Sequence, residues 1–207
     1  MKYVSIDLET SGLSPEKHQI LEFGAILEDT ENLLNFEEIP KFHRIIEHRE
    51  ICGQPIAINM NERIIKILSE YGKSKDLKRE EIKKQFNIIR EYELVNDFID
   101  WLAPYFSTEE NSNLDLGLYT YDFSINIAGK NFSSFDVKFL EKIGSWNEIV
   151  HYKRRIIDPS VLYVDWAKDD SLPSLEECLK RAGIEKSVAH NAVEDAWDVI
   201  QVLRKKY

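Results

Sequence analysis

The 207-residue chain carries two cysteines, eight glycines and six prolines, and no apolar run approaching the ~20 residues that span a bilayer. Cys52 and Cys178 are far apart and in no metal-binding spacing, so a disulfide framework is not expected and the plain reading is reduced thiols in a cytoplasmic protein. The scarcity of glycine and proline leaves no low-complexity linker, and there is no internal repeat. The opening M-K-Y-V-S-I-D runs straight into an apolar strand pattern, so no signal peptide is expected. Excess positive charge is missing too. The formal net charge of −10 argues against gripping long duplex DNA through a broad basic surface. It does not exclude nucleic acid as a substrate, because metal ions can bridge carboxylates to phosphate.

What is present reads as one α/β domain. Strand patterns cover residues 2–8, 18–27 and about 41–46, with S-G-L-S-P supplying the first turn. N-E-R-I-I-K-I-L-S-E-Y predicts an amphipathic helix ending near Gly72. The mixed-sign stretch 73–86 predicts a solvated helix face and connector rather than a binding site. Leu94, Val95, Phe98, Trp101 and Leu102 share one face of a further helix. A polar loop follows at 107–113, then a short strand at 124–128, a helix over 134–143, a short strand R-I-I-D at 155–158, a helix closed by Gly183, and a final helix to the C-terminus. Three meandering strands followed by β-α-β-α units describe a mixed sheet flanked by helices, with a helical insertion at about 54–90 in a single domain spanning 1–207.

Residues 4–13, V-S-I-D-L-E-T-S-G-L, pose a problem of charge. Side chains alternate along a strand, so Val4, Ile6 and Leu8 share one face, and Ser5, Asp7 and Glu9 the other. Two like charges at the end of a buried strand repel and resist desolvation, which calls for open solvent or something positive between them.

Two helices add acids that face inward. In H-N-A-V-E-D-A-W-D-V-I-Q-V-L, Asn191 and Glu194 form a capping-box pattern that starts the helix about Ala192. Asp195 lies on the face of Ala192, Ala196, Val199, Ile200 and Leu203, whereas Asp198, between Glu194 and Val202, is expected off to the side. In N-F-S-S-F-D-V-K-F-L, Asp136 shares the stripe of Phe132, Phe135, Phe139, Leu140 and Ile143. One acid in a first turn is ordinary, since the helix dipole favours it. Four acids, two on a strand and two on core-facing helix starts, read better as a divalent-metal site, because unpaired buried charges are costly. Hard oxygen ligands suit Mg²⁺ or Mn²⁺, and two such ions can hold an attacking water and a leaving oxygen at one phosphorus. His190, five residues before Asp195, is the natural acceptor for that water's proton.

The three segments I-D-L-E-T-S-G-L, N-F-S-S-F-D-V-K-F-L and A-H-N-A-V-E-D-A together resemble the exonuclease motifs of the DnaQ-like superfamily, the 3′–5′ exonucleases with an Asp-Glu-Asp-Asp metal centre and a histidine. The resemblance covers residues 1–46 and about 91–207, in order. It implies an RNase H-like fold with a five-stranded mixed sheet and two metal ions. It also implies Asp7, Glu9, Asp136 and Asp195 as ligands, His190 as general base, and release of nucleoside 5′-monophosphates from single-stranded 3′ ends. Thr10, Gly12 and Leu13 match positions that touch the terminal nucleotide in relatives; for Leu13 a place in the core is the alternative. Asn131 belongs to the second motif. There Lys130 replaces a histidine, and one extra residue separates Asn131 from Asp136, a spacing similar to oligoribonuclease that favours short oligonucleotides. Lys130 is expected at a solvated strand end.

Other residues attract plainer expectations. Asn59, Met60 and Asn61 lie where relatives carry a loop near the active site, but Met60 is expected as core filler and Asn61 as a helix cap. The basic cluster Lys153-Arg154-Arg155 is expected at the far sheet edge, and Asp158 is expected to shape the turn at Pro159. Two other functions remain open: a catalytically silent nucleic-acid-binding or scaffold domain, and a phosphohydrolase of dinucleotides or small nucleotides. RNA versus DNA is not legible. A homodimer is also open, with the final helix or the insertion as its place.

Overall fold

The computed structural model describes residues 1–106, 123–186 and 190–207. The polar loop expected at 107–113 lies outside the described residues. Strands β1 (Lys2–Thr10), β2 (Ile20–Asp29) and β3 (Lys41–Glu47) form the expected antiparallel meander. Two short strands complete the sheet in the order β4-β3-β2-β1-β5. One is β5 (Ile127–Ala128), parallel to β1, and the other is β4 (Ile88–Arg90), parallel to β3. The fifth strand is therefore not the R-I-I-D segment. That segment contributes only bridges, Ala128 with Ile157 and, upstream of it, Ile125 with Tyr152. Pro159 cannot donate to a ladder, and Asp158 has already begun a turn, so the pairing stops there.

One sheet face carries Val4, Ile6 and Leu8 against Phe23 and Phe42. It is covered by α4 (Leu94–Phe106), α5 (Asp136–Leu140) and α6 (Trp146–Ile149). Phe23, Phe42, Phe98 and Trp146 are fully buried here with ring centroids 5.1–6.3 Å apart. Such aromatic pairs contribute about 0.5–1.5 kcal/mol each beyond their area burial. The helix expected over 134–143 shortens to α5 because Phe135, at φ −125° and ψ −73°, is not helical.

The opposite face receives the single turn α7 (Ser160–Tyr163), α8 (Leu175–Arg181) and α9 (Ala192–Arg204) on Tyr3, Ile26 and Ala128. The insertion forms α1 (Pro55–Met60), α2 (Glu62–Lys73) and α3 (Asp76–Gln85) before the chain rejoins the sheet as β4. Ile64, Tyr71 and Ile82 pack on Leu21, Ile45 and Ile88, which fixes the α2–α3 hairpin to the β3–β4 side. Among the described residues no helix is long and apolar enough to cross a membrane.

Candidate active site

Register and one glycine decide where the site forms. Asp7 pairs with Gly24 and Glu9 with Glu22 across β1 and β2. A Cβ on Gly24 would stand 2.3 Å from the carbonyl carbon of Ala192 and 2.4 Å from the nitrogen of Val193. Only glycine there lets the first turn of α9 lie directly on β2, beside Asp7. Asn191 caps α9, its side chain accepting from the N–H of Glu194 at 3.2 Å. Asp195 follows in the first turn and is 5% exposed.

The second helix acid arrives from the other layer. Asp136 is the first residue of α5 and buried, and its Oδ1 accepts the N–H of Leu8 at 3.2 Å. The acid on the helix is thereby tied to the strand residue between Asp7 and Glu9. His190 precedes α9 at φ +50° with its ring exposed. A ring nitrogen of His190 and one carboxylate oxygen each of Glu9 and Asp195 lie within 4.8 Å of one another. The fold thus gathers Asp7, Glu9, Asp136, Asp195 and His190 around the C-terminal end of β1.

The electrostatics follow from that crowding. Burial, then the charges of Asp136, Asp195, Glu9 and Glu22, holds the Asp7 carboxyl well above the usual range. Glu9 is pushed up to about 8, first by burial and then by Asp195 and Glu22, with Asn61 and Arg63 opposing. Asp136 is pushed up to about 7 by burial, against the stabilising N–H of Leu8. Asp7, Glu9 and Asp136 therefore hold protons more tightly than free carboxyls do. A divalent cation fits the same donors, because hard carboxylate oxygens converge there and their mutual repulsion is what a cation removes.

One supporting residue escaped the sequence reading. Glu22 is fully buried. One oxygen accepts from Arg63 at 2.6 Å and bonds His43 Nε2 at 2.7 Å, while the other accepts the Ala192 N–H at 3.1 Å. Burial would raise its pKa, but the bonds from His43 and Arg63 prevail and lower it. Glu22 therefore joins β2, β3, α2 and the start of α9. The signal was a glutamate in the otherwise apolar I-L-E-F-G-A-I-L, two residues before a glycine.

Asn61 corrects an expectation. It makes no side-chain cap on α2. Its amide donates to the carbonyls of Thr10 at 3.2 Å and Ala57 at 3.1 Å, which brings it buried against Glu9. Met60 is 46% exposed and fills no core, because α1 buries none of its residues.

The Thr10–Leu13 turn is rigid where it meets the site and open beyond it. Thr10 Oγ1 donates to the Gly12 carbonyl at 2.9 Å. A Cβ on Gly12 would stand 2.6 Å from the His18 ring, which itself accepts the Ser14 N–H. Leu13 is 72% exposed, so the core alternative is excluded.

Asn131 is exposed at φ +60°, with Lys130 Nζ 2.6 Å from its Oδ1. Asp158 does more than shape the Pro159 turn. It accepts from the backbone and hydroxyl of Ser160, and its second oxygen accepts the Asn131 N–H at 3.0 Å, clamping the second-motif loop. Lys153, Arg154 and Arg155 follow Tyr152, which pairs with Ile125 at the N-terminal end of β1, away from the acids. Asp198 is not off to the side: it is fully buried, and Lys186 reaches across to pair with it at 3.0 Å.

Comparisons with known proteins agree with this architecture. The family model described as DNA polymerase III subunit epsilon-like, C-terminal domain, of the DEDDh type, matches residues 2–205. Escherichia coli exonuclease I in complex with a dT13 oligonucleotide superposes at a TM-score of 0.57 with 19% identity, covering 99% of this chain and 40% of that one. Its zinc-bound single-stranded DNA complex gives 0.58 and 19%, covering 99% and 39%. A further exonuclease I structure, one that suggests how processivity is achieved, gives 0.60 and 17%, covering 99% and 40%. The mixed five-stranded sheet flanked by helices is the RNase H-like fold of these exonucleases. The chain spans about two fifths of the exonuclease I chains it matches. No curated protein matches it in sequence.

Proposed function

The chain belongs to the DNA polymerase III subunit epsilon-like family of DEDDh type, and from that membership we propose that it is a metal-dependent 3′–5′ exonuclease. Residues 1–207 act as one exonuclease domain, with the insertion at about 54–90. It hydrolyses the terminal phosphodiester of single-stranded nucleic acid and releases nucleoside 5′-monophosphates by a two-metal mechanism. The observation that carries this reading is the set of carboxylates around Asp7, whose charges raise one another's pKa values and have no purpose in a plain scaffold.

Asp7, Glu9, Asp136 and Asp195 would hold two divalent ions, Mg²⁺ or Mn²⁺ by the hardness of the donors. When bound, the ions supply the charge that makes water a nucleophile near neutral pH and that offsets charge building on the phosphoryl oxygens. His190 takes the proton of the attacking water on a ring nitrogen, and its exposed ring passes it to solvent. Exposed Leu13 meets the terminal base, and the stiff Thr10–Gly12 turn and Asn131 hold the terminal nucleotide. Asp158 keeps Asn131 in place through the backbone.

The test is incubation of the protein with 5′-labelled single-stranded RNA and DNA in Mg²⁺, Mn²⁺ or EDTA, beside Asp7→Ala and His190→Ala. The expected result is a ladder shrinking from the 3′ end, absent in EDTA and in Asp7→Ala, and slowed about 10²–10⁴-fold in His190→Ala. A wild-type chain that shortens no strand under any of these conditions overturns the reading.

A further inference from the structure

Residues 62–84 carry eight lysines and arginines against five acids, in a chain of net charge −10. The structure concentrates part of this positive charge in one depression. Lys66, Ser69 and Lys73 of α2 line it together with Ser74, Lys75 and Lys78 at the α2–α3 turn. Among the described residues Glu70 is the one acid lining it, 3.1 Å from Lys78, and Lys66 pairs with Glu62 at 2.8 Å. These pairs are exposed and worth about 0–1 kcal/mol, so they yield readily to a stronger anion. Lys73 and Lys75 are exposed and have no carboxylate partner among the described residues. Lys75 also stands at the N-cap of α3 without a side-chain cap, so the first N–H groups of that helix add to the positive end.

The position of the depression supplies the link to the site. Arg63, Lys66, Glu70 and Lys73 recur at three- and four-residue spacing, which puts them on one side of α2. The row begins at Arg63, bonded to Glu22 behind the carboxylates, one turn from Asn61 beside Glu9. It ends at Lys73, about 15 Å further along the helix.

We propose that the α2–α3 hairpin is a second binding surface for the phosphodiester backbone of a single strand, upstream of the terminal nucleotide held at the carboxylates. The mixed-charge stretch read from the sequence as a plain solvated face is then the track along which the strand leaves the site. This rests on the exonuclease reading for the direction of the strand, and it gives the insertion a role. At about 3.4 Å per stacked nucleotide the strand meets Lys73 and Lys75 about five nucleotides from its 3′ end. Strands shorter than that use the site alone.

The decisive measurement is binding rather than hydrolysis. A 5′-fluorescent single strand of about 15 nucleotides, three times the estimated span, is titrated in EDTA with wild type and Lys73→Ala/Lys75→Ala across a salt series. Each lost phosphate contact lowers the slope of log Kd against log salt by about 0.7 and weakens binding about fivefold at 0.1 M salt, so the double variant binds about 25-fold less tightly with a slope about 1.4 smaller. A strand with uncharged methylphosphonate linkages upstream of nucleotide five or so binds wild type as weakly as the phosphodiester strand binds the variant, and the variant does not tell the two strands apart. Unchanged affinity and slope in the double variant overturns the proposal, as does equal binding of both strands by wild type. Because hydrolysis enters neither arm, a chain that proves inactive fails the exonuclease reading while this comparison still stands.

Discussion

Raising the pH of the metal-free protein from 5 to 8 is expected to destabilise it, opposite to the usual behaviour of paired carboxylates. Glu9 moves from 4.5 to about 8 on folding, and Asp136 from 3.8 to about 7. In both cases the folded chain keeps a proton that the unfolded chain has already released. The folded state therefore binds more protons throughout that window, and stability is greatest near pH 4 and falls as pH rises through the folded pKa values. Each shift exceeds three units, or roughly 4 kcal/mol at about 1.4 kcal/mol per unit. The two groups lie in one cluster and draw on overlapping causes, so about 5 kcal/mol for the pair is a better figure than the sum. Glu22 does not blur the result, because its pKa is lowered and its contribution is already constant above pH 5.

A chain of this size shifts by about 2–4 °C per kcal/mol, so the melting temperature in EDTA should drop by about 10–20 °C between pH 5 and 8. Mg²⁺ or Mn²⁺ replaces the protons, so the same scan with metal should be nearly flat, with stabilisation by metal far larger at pH 8 than at pH 5. Asp7→Asn removes the central charge; it should raise the metal-free melting temperature at pH 8 and lose most of the metal effect. A metal-free scan that is flat or rising over this window would refute the reasoning, because it would mean that the acids do not crowd one another as the geometry requires.

Gly24→Ala places a methyl 2.3 Å from the backbone of Ala192; it should cost at least about 1–3 kcal/mol and reduce nuclease activity by displacing Asp195, both read by melting and by the strand-shortening assay. Glu22→Ala strips the buried partner from Arg63 and the acceptor from the α9 N–H, with an expected loss of about 3–5 kcal/mol in urea unfolding, whereas Glu22→Gln keeps the acceptor and should recover part of it. Leu13→Ala changes a largely exposed side chain, so stability should stay within about 0.5 kcal/mol while KM for a single strand rises; unchanged KM removes Leu13 from substrate binding.

The acids proposed as metal ligands were legible because their positions follow from local periodicity. Alternation in V-S-I-D-L-E puts Asp7 and Glu9 on one face, and the apolar stripes of two helices aim Asp136 and Asp195 inward. The same reasoning misplaced Asp198, since helical periodicity describes one helix and not what reaches its flank from elsewhere; Lys186 pairs with Asp198 there. Three-residue β4 and one-turn segments such as α6 were too short to show a period. The residues that brace the site were illegible for a related reason. Glu22 matters only once His43, Arg63 and the start of α9, 170 residues further along, have all come to it. Gly24 matters only because α9 lies on it, and Asn61 reads as a cap until α1 turns it toward Glu9. The clustered carboxylates are thus written in short patterns, whereas the geometry that holds them depends on contacts between distant segments. Substitutions in this bracing set are therefore where loss of activity and loss of stability should be hardest to separate, and the exposed residues Leu13, Lys73 and Lys75 are where they should separate most cleanly.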